Sequence, residues 1–311
     1  MKIAANMGVK VANYLSHRRS LGYALTVESR ALRDFGRYAD QIGHQGPLTL
    51  ALALQWARLP TKADPTYWAR RLGIVRGLAK YLLIEDPETE VPPIRILGPA
   101  CRRRAPHIYS AEEITQLLAK AQHCSPGKGL HPLTIYTVIG LMASTGMRIS
   151  EVLHLQVEDV DLKDRLVTVR ESKFHKSRLL PLHATVAAKL AQYSERRHRC
   201  FPCSQSFFVS RRGTPLAYDT IQRIFHELVD DIPNRGDHPR PRLHDLRHAF
   251  ACRILIRWSK HPVVLDQRVL WLMHYLGHTH ISHTYWYLSA IPELLARAAV
   301  HFENYAKQFA P

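Results

Sequence analysis

The sequence lacks the features that would carry a chain into or across a membrane. Its first ten residues, MKIAANMGVK, have no extended apolar core of the secretory kind. The most apolar run, LTIYTVIGLMA from Leu133, is too short to span a bilayer. Cysteine is sparse and odd in number: Cys101, Cys124, Cys200, Cys203 and Cys252 are scattered, which argues for a reducing cytoplasm. Cys200 and Cys203 form a CxxC with His198 just upstream, but a zinc site of that design needs a second ligand pair at comparable spacing, and the chain offers none. Internal repeats and low-complexity tracts are absent as well. Negative charge is the other deficit, with 26 Asp and Glu against 43 Lys and Arg.

The resulting net charge of +17 is not confined to a tail: +6 falls in the first hundred residues and +11 in the rest. A basic excess spread over both halves suits a protein that closes around a polyanion. Apolar content of 46% and charged content of 22% are otherwise ordinary for a globular protein, and 311 residues leave room for two domains.

Apolar periodicity makes the first hundred residues helical. TVESRALRDFGRYADQI places Leu32, Phe35, Ala39 and Ile42 on one face. Asp64 and Pro65 read as an N-cap and first helical residue for a helix carrying Trp68, Leu72, Val75, Ala79 and Leu82. Arg70, Arg71, Arg76 and Lys80 decorate that helix as either phosphate contacts or a solvated face. The proline-rich stretch EDPETEVPPIRILGPACRRRAPH then marks a boundary. A second domain opens on the capping box Ser110–Glu113. Within it, the helical stretch GMRISEVLHLQ precedes two β-rich runs, RLVTVRES and RLLPLH, joined by the turn KFHK. Helices return at DTIQRIFHELVDDI, LHDLRHAFACRILI and VLWLMHYL, the last stopped by Gly277, and PELLARAAVHFENYAKQFA is amphipathic. The expected fold is mainly α with a small antiparallel sheet, an α+β chain of two domains: a helical domain over 1–86, a linker over 87–107 and a second domain over 108–311.

Three clusters carry chemistry. STGMRISE sets Arg148 and Glu151 three apart, on one helical face. LHDLRH does the same with His244 and Arg247, and LGHTHISHTYWYL packs histidines and tyrosines after Gly277. Guanidinium forks and imidazole donors suit a phosphate whose charge grows during reaction. Each cluster alone is commonplace. In order, however, STGMRISE, Lys173 in the hairpin turn, HDLR, LGH and a following tyrosine resemble the tyrosine recombinases, the phage-integrase family, over roughly residues 108–290.

That resemblance implies a two-domain DNA clamp: a helical, SAM-like core-binding domain and a catalytic domain ending in a helix that contacts a neighbouring protomer. It assigns Arg148 as the first catalytic arginine with Glu151 as its helper. Lys173 becomes the general acid, with Lys176 as the alternative in the same turn. His244, Arg247 and His278 become phosphate ligands. The family's nucleophile lies nine residues after that last histidine, at Tyr287. Positions two apart on a helix point about 200° from each other, so Tyr285 and Tyr287 do not both face one phosphate. His280 and His283 read as polar surface, and Gly277 separates His274 from His278 too sharply for an i,i+4 metal pair.

The implied reaction is cleavage and rejoining of double-stranded DNA recombination sites through a 3′-phosphotyrosyl link, by a homotetramer in a prokaryotic cytoplasm. Cationic side chains neutralise the phosphate, so no cofactor or metal is required. A type IB topoisomerase and a noncatalytic DNA-binding regulator on the same scaffold are the competing readings. The early start of the helical pattern leans towards an Xer-like or transposon-encoded enzyme. One departure from the family is the long connection between Arg247 and His278, with its extra residues near Trp258–Gln267.

Overall fold

Several helices begin where a side chain satisfies a free N–H group of the first turn. Asn6 caps α1 (Met7–Ser20), which is followed by α2 (Thr26–Gln41). Thr49 caps α3 (Leu50–Arg58), and Asp64 with Pro65 opens α4 (Pro65–Leu82) as the sequence suggests. A computed structural model describes residues 6–101, 105–124, 129–172, 176–230, 240–259, 265–282 and 284. The chain divides into two compact units, Met1–Arg104 and Ala105–Pro311.

The first unit wraps its four helices around a core that includes Leu32, Phe35, Trp56, Leu72 and Val75. Phe35 meets Trp56 edge-on, with ring centroids 5.3 Å apart. Ile42, expected on the buried face of α2, lies past the helix end and is 50% exposed. Two of the arginines read as possible phosphate contacts serve the fold. Arg71 lies 3.7 Å from the Trp56 ring centroid and donates to the Trp56 carbonyl, and Arg76 donates to the carbonyls of Pro92 and Pro93. That second pair of bonds folds the proline-rich stretch onto the unit, where Val91 and Leu97 pack against its core. Arg70 and Lys80 remain exposed.

In the second unit Ser110 and Glu113 form their reciprocal capping box at the start of α5 (Ala111–Ala121). Next comes α6 (Leu130–Thr145), apolar on every side and therefore central, packed by α5, by α8 (Ala184–Cys200) and by α10 (Leu243–Trp258). Between α6 and α8 lie the short α7 (Ile149–Leu153) and an antiparallel sheet of β1 (Val160–Asp161), β2 (Leu166–Ser172) and β3 (Lys176–Pro181). The hairpin pairs Val167 with Leu180 and Val169 with Arg178, its buried residues facing the core. α9 (Tyr218–Val229) closes the core, and α11 (Leu265–Leu276) packs on α10. The long connection after the HDLR motif is thus partly helical: α10 runs on through Trp258 and α11 starts at Leu265, with 260–264 outside the described residues. Among the described residues no helix is long and apolar enough to cross a membrane.

Candidate active site

The site is built where α6, α10 and α11 present their ends to one another. α6 stops at Gly146, whose φ of +65° is the left-handed conformation that glycine adopts without strain. A Cβ there would also come within 2.5 Å of the Phe250 ring. The reversal sends the chain through buried Met147 to Arg148. Arg148 is not inside a helix, as expected from spacing, but is the extended N-cap of the five-residue α7. It meets Glu151 as a capping partner instead of along a shared face. The Glu151 carboxylate accepts from the Arg148 N–H at 2.9 Å and from its Nη1 at 2.7 Å.

The same device opens α10. The buried Asp245 carboxylate accepts from the N–H of Arg242 at 2.8 Å and from its guanidinium. This places His244 in the first turn of the helix and Arg247 at the start of the second. Arg247 is 1% exposed, and its Nη1 donates 2.8 Å to the carbonyl of Gly146.

The decisive feature is the end of α11. Gly277, at φ +66°, closes the helix with a double bond pattern: its N–H donates to His274, and the N–H of His278 donates to Met273. The carbonyls left over in the last turn are taken by guanidiniums. Arg178 Nε donates to Tyr275 at 2.8 Å, Arg247 Nη2 to Leu276 at 2.6 Å and Arg148 Nη2 to Gly277 at 2.9 Å. Three arginines from β3, α10 and the α6–α7 turn thus grip three successive carbonyls at the negative end of a helix dipole. His278 follows directly, its Nδ1 held 2.8 Å from the Thr284 hydroxyl.

Burial sets the protonation states. His244 keeps an open edge, but its packed surroundings, and then Arg247, hold its pKa down to about 4; Asp245 opposes the shift, and Arg148 and Arg242 add to it. His248 stands edge-on to the His244 ring, centroids 4.7 Å apart, and is pushed down to about 3 by burial and by its cationic neighbours. Both rings are neutral at pH 7. Burial would raise the Glu151 pKa, but Arg178, and then Arg148, more than reverse it. Tyr275, the tyrosine nearest this cluster among the described residues with a resolved shift, is driven up to about 12 by burial and keeps its proton.

Residues 108–293 match the model of the phage integrase family. The chain belongs to that family. A Sinorhizobium fredii protein named "Putative integrase/recombinase y4rB" is 38% identical over 304 residues, which are 94% of this chain and 96% of its own length. The tyrosine recombinase XerD of Bradyrhizobium diazoefficiens is 28% identical over 281 residues, 86% of either chain. Among solved structures, the Tn1549 transposon integrase in complex with transposon right-end DNA superposes with a TM-score of 0.70 at 17% identity, covering 97% of this chain and all of that one, and so shares its fold.

Of the phage integrase residues expected from the sequence, Arg148, His244, Arg247 and His278 are thus drawn to one place. Lys173, Tyr285, Tyr287, His283 and the segment from Pro292 lie outside the described residues, as does the side chain of Lys176. Two members of the cluster were not anticipated. Arg178 grips Glu151 and α11, and its only local signal is strand alternation, which puts it on the face of buried Leu180. His248 sits one helical turn after His244, a spacing visible within LHDLRH. Of the CxxC, Cys200 lines a surface groove with His123 and Arg199, whereas Cys203 lines another with His198. Among the described residues no three His, Cys, Asp or Glu stand together as a metal would require.

Proposed function

We propose that this phage integrase family member is a site-specific recombinase that cleaves and rejoins double-stranded DNA through a 3′-phosphotyrosyl intermediate. The observation that carries the reading is the gathering of Arg148 and Arg247 on consecutive carbonyls directly before His278, with His244 on the same helix as Arg247. Such a cluster supplies preorganised donors for the equatorial oxygens of a pentacoordinate phosphorus. Tyr287 is the nucleophile. Its oxygen bonds to phosphorus as the bond to the 5′-oxygen breaks, and Lys173 protonates the departing oxygen. His244, neutral before DNA arrives, accepts the phenolic proton; the approaching phosphate anion raises its basicity. A 5′-hydroxyl from the partner strand then reverses the step, and the phosphodiester energy is retained throughout.

The helical residues 1–86 contact DNA alongside the catalytic residues 108–311, which accounts for the basic charge in both. Four protomers act on two paired sites, with PELLARAAVHFENYAKQFA as the contact between neighbours. A nicked suicide substrate tests the chemistry. Tyr287→Phe binds this duplex like the parent but forms no covalent adduct, while Tyr285→Phe still forms one. An adduct from Tyr287→Phe and none from Tyr285→Phe would reverse the assignment. Relaxation of a plasmid without a special site would indicate a topoisomerase, and binding without any adduct from the unaltered chain a regulator.

A further inference from the structure

We propose that Arg178 is a positioning residue for strand cleavage, keeping the guanidinium of Arg148 both aimed and net positive. The proposal rests on the reading of Arg148 as a ligand of the scissile phosphate.

The case begins with Glu151, whose side chain is 4% exposed. A buried carboxylate bound to Arg148 alone would form a neutral pair, a poor partner for a phosphate gaining negative charge. Arg178 changes that balance. Its Nη1 lies 3.1 Å from Oε1 and its Nη2 2.8 Å from Oε2, a fork-to-fork pair that satisfies both carboxylate oxygens. Arg148 adds a single side-chain bond to Oε1 and turns its other terminal nitrogen to Gly277. The trio Arg148–Glu151–Arg178 therefore carries one net positive charge.

Arg178 also reaches three elements at once. It rises from β3, the strand that follows the hairpin turn, grips α7 through Glu151 and holds the Tyr275 carbonyl of α11 with Nε. The fit at α11 is close: a Cβ on Gly277 would stand 3.1 Å from Arg178 Nη1 and 3.5 Å from Arg148 Nη1. With a side chain only 13% exposed, Arg178 is not a solvated strand cation. A lysine there would keep the charge but lose the planar fork.

The test compares a nicked suicide duplex with the same duplex carrying an uncharged methylphosphonate at the scissile position. Arg178→Met should slow adduct formation on the phosphodiester by about 10²-fold, the scale of one preorganised donor, without weakening duplex binding. On the methylphosphonate, which needs less positive charge, the penalty should shrink to within about threefold. Arg178→Lys should fall between the parent and Arg178→Met. Equal penalties on both substrates would mean that Arg178 merely supports the fold, and would overturn the proposal. Should Arg178→Met fail to fold, the double variant Glu151→Gln with Arg178→Met removes the stranded carboxylate and leaves Arg148 its full charge. It should cleave the phosphodiester within about tenfold of the parent, and a loss as large as about 10²-fold would refute the charge argument. Arg148→Ala serves as the control: if its own penalty were the same on both substrates, the reading of the site itself would fail, and not only the part given to Arg178.

Discussion

At the scale of single residues, the site stores two histidines in a state the unfolded chain does not share. A free imidazole titrates near 6.5, whereas His244 is held at about 4 and His248 at about 3. Between those values the unfolded chain binds protons that the folded chain refuses. Stability contributed by neutral His244 and His248 is therefore complete above pH 6.5 and is lost as pH falls towards 4 for His244 and towards 3 for His248. The midpoint of urea unfolding should drop steadily from pH 7 to pH 5, with a linkage of up to about two protons. In His248→Gln the slope should fall by about one proton. An identical slope in that variant would show that the His248 ring titrates normally in the fold. If a DNA phosphate docks at this cluster, binding should carry a proton linkage, since the anion favours the charged imidazole.

At the scale of elements, the last turn of α11 does more than end a helix. Its carbonyls organise three guanidiniums, and its geometry depends on a glycine at φ +66° packed against two of them. Gly277→Ala should cost about 1–2 kcal/mol from the backbone alone, the penalty of an L-residue in the left-handed region. Because the new methyl group presses on Arg178, which must give by a few tenths of an ångström beside Arg148, adduct formation should fall more than the loss of thermal stability explains; a melting curve and a suicide-substrate assay on the same preparation check this. Such starts and stops were legible in the sequence because their chemistry is local: Gly277 after VLWLMHYL, Asp64–Pro65, and Ser110 with Glu113 each act within a turn or two. The position of Arg148 was not. Spacing placed it on a helix, but the carboxylate of Glu151 and the carbonyl of Gly277 draw it into an extended cap. Arg178 was invisible for the same reason, since its partner Tyr275 lies 97 residues away and periodicity reports only neighbours. Arg71 and Arg76 looked like surface cations and instead bind carbonyls of their own unit.

At the scale of the whole molecule, the question is which unit supplies the charge that holds DNA. Each unit has its own core, and each is basic. In the first, with Arg71 and Arg76 committed internally, the exposed cations of α2 stand out: Arg30, Arg33 and Arg37 share a groove with Arg19 of α1. Arg30 and Arg33 lie three apart, so a duplex backbone running along that groove meets both. Each phosphate neutralised releases counterions and adds about 0.9 to the slope of log affinity against log salt. If the first unit tracks the backbone, the double variant Arg30→Gln with Arg33→Gln should lower that slope by about two and weaken binding to every duplex alike. Its adduct rate at saturating duplex should match the parent, because neither residue belongs to the Arg148–Arg247–His278 cluster. An unchanged slope would confine phosphate contact to the second unit and leave the charge of the first without a role in recombination. A changed slope with a slowed saturated rate would instead mean that the grip of the first unit sets how the scissile phosphate enters the cluster, making binding and chemistry one coupled step.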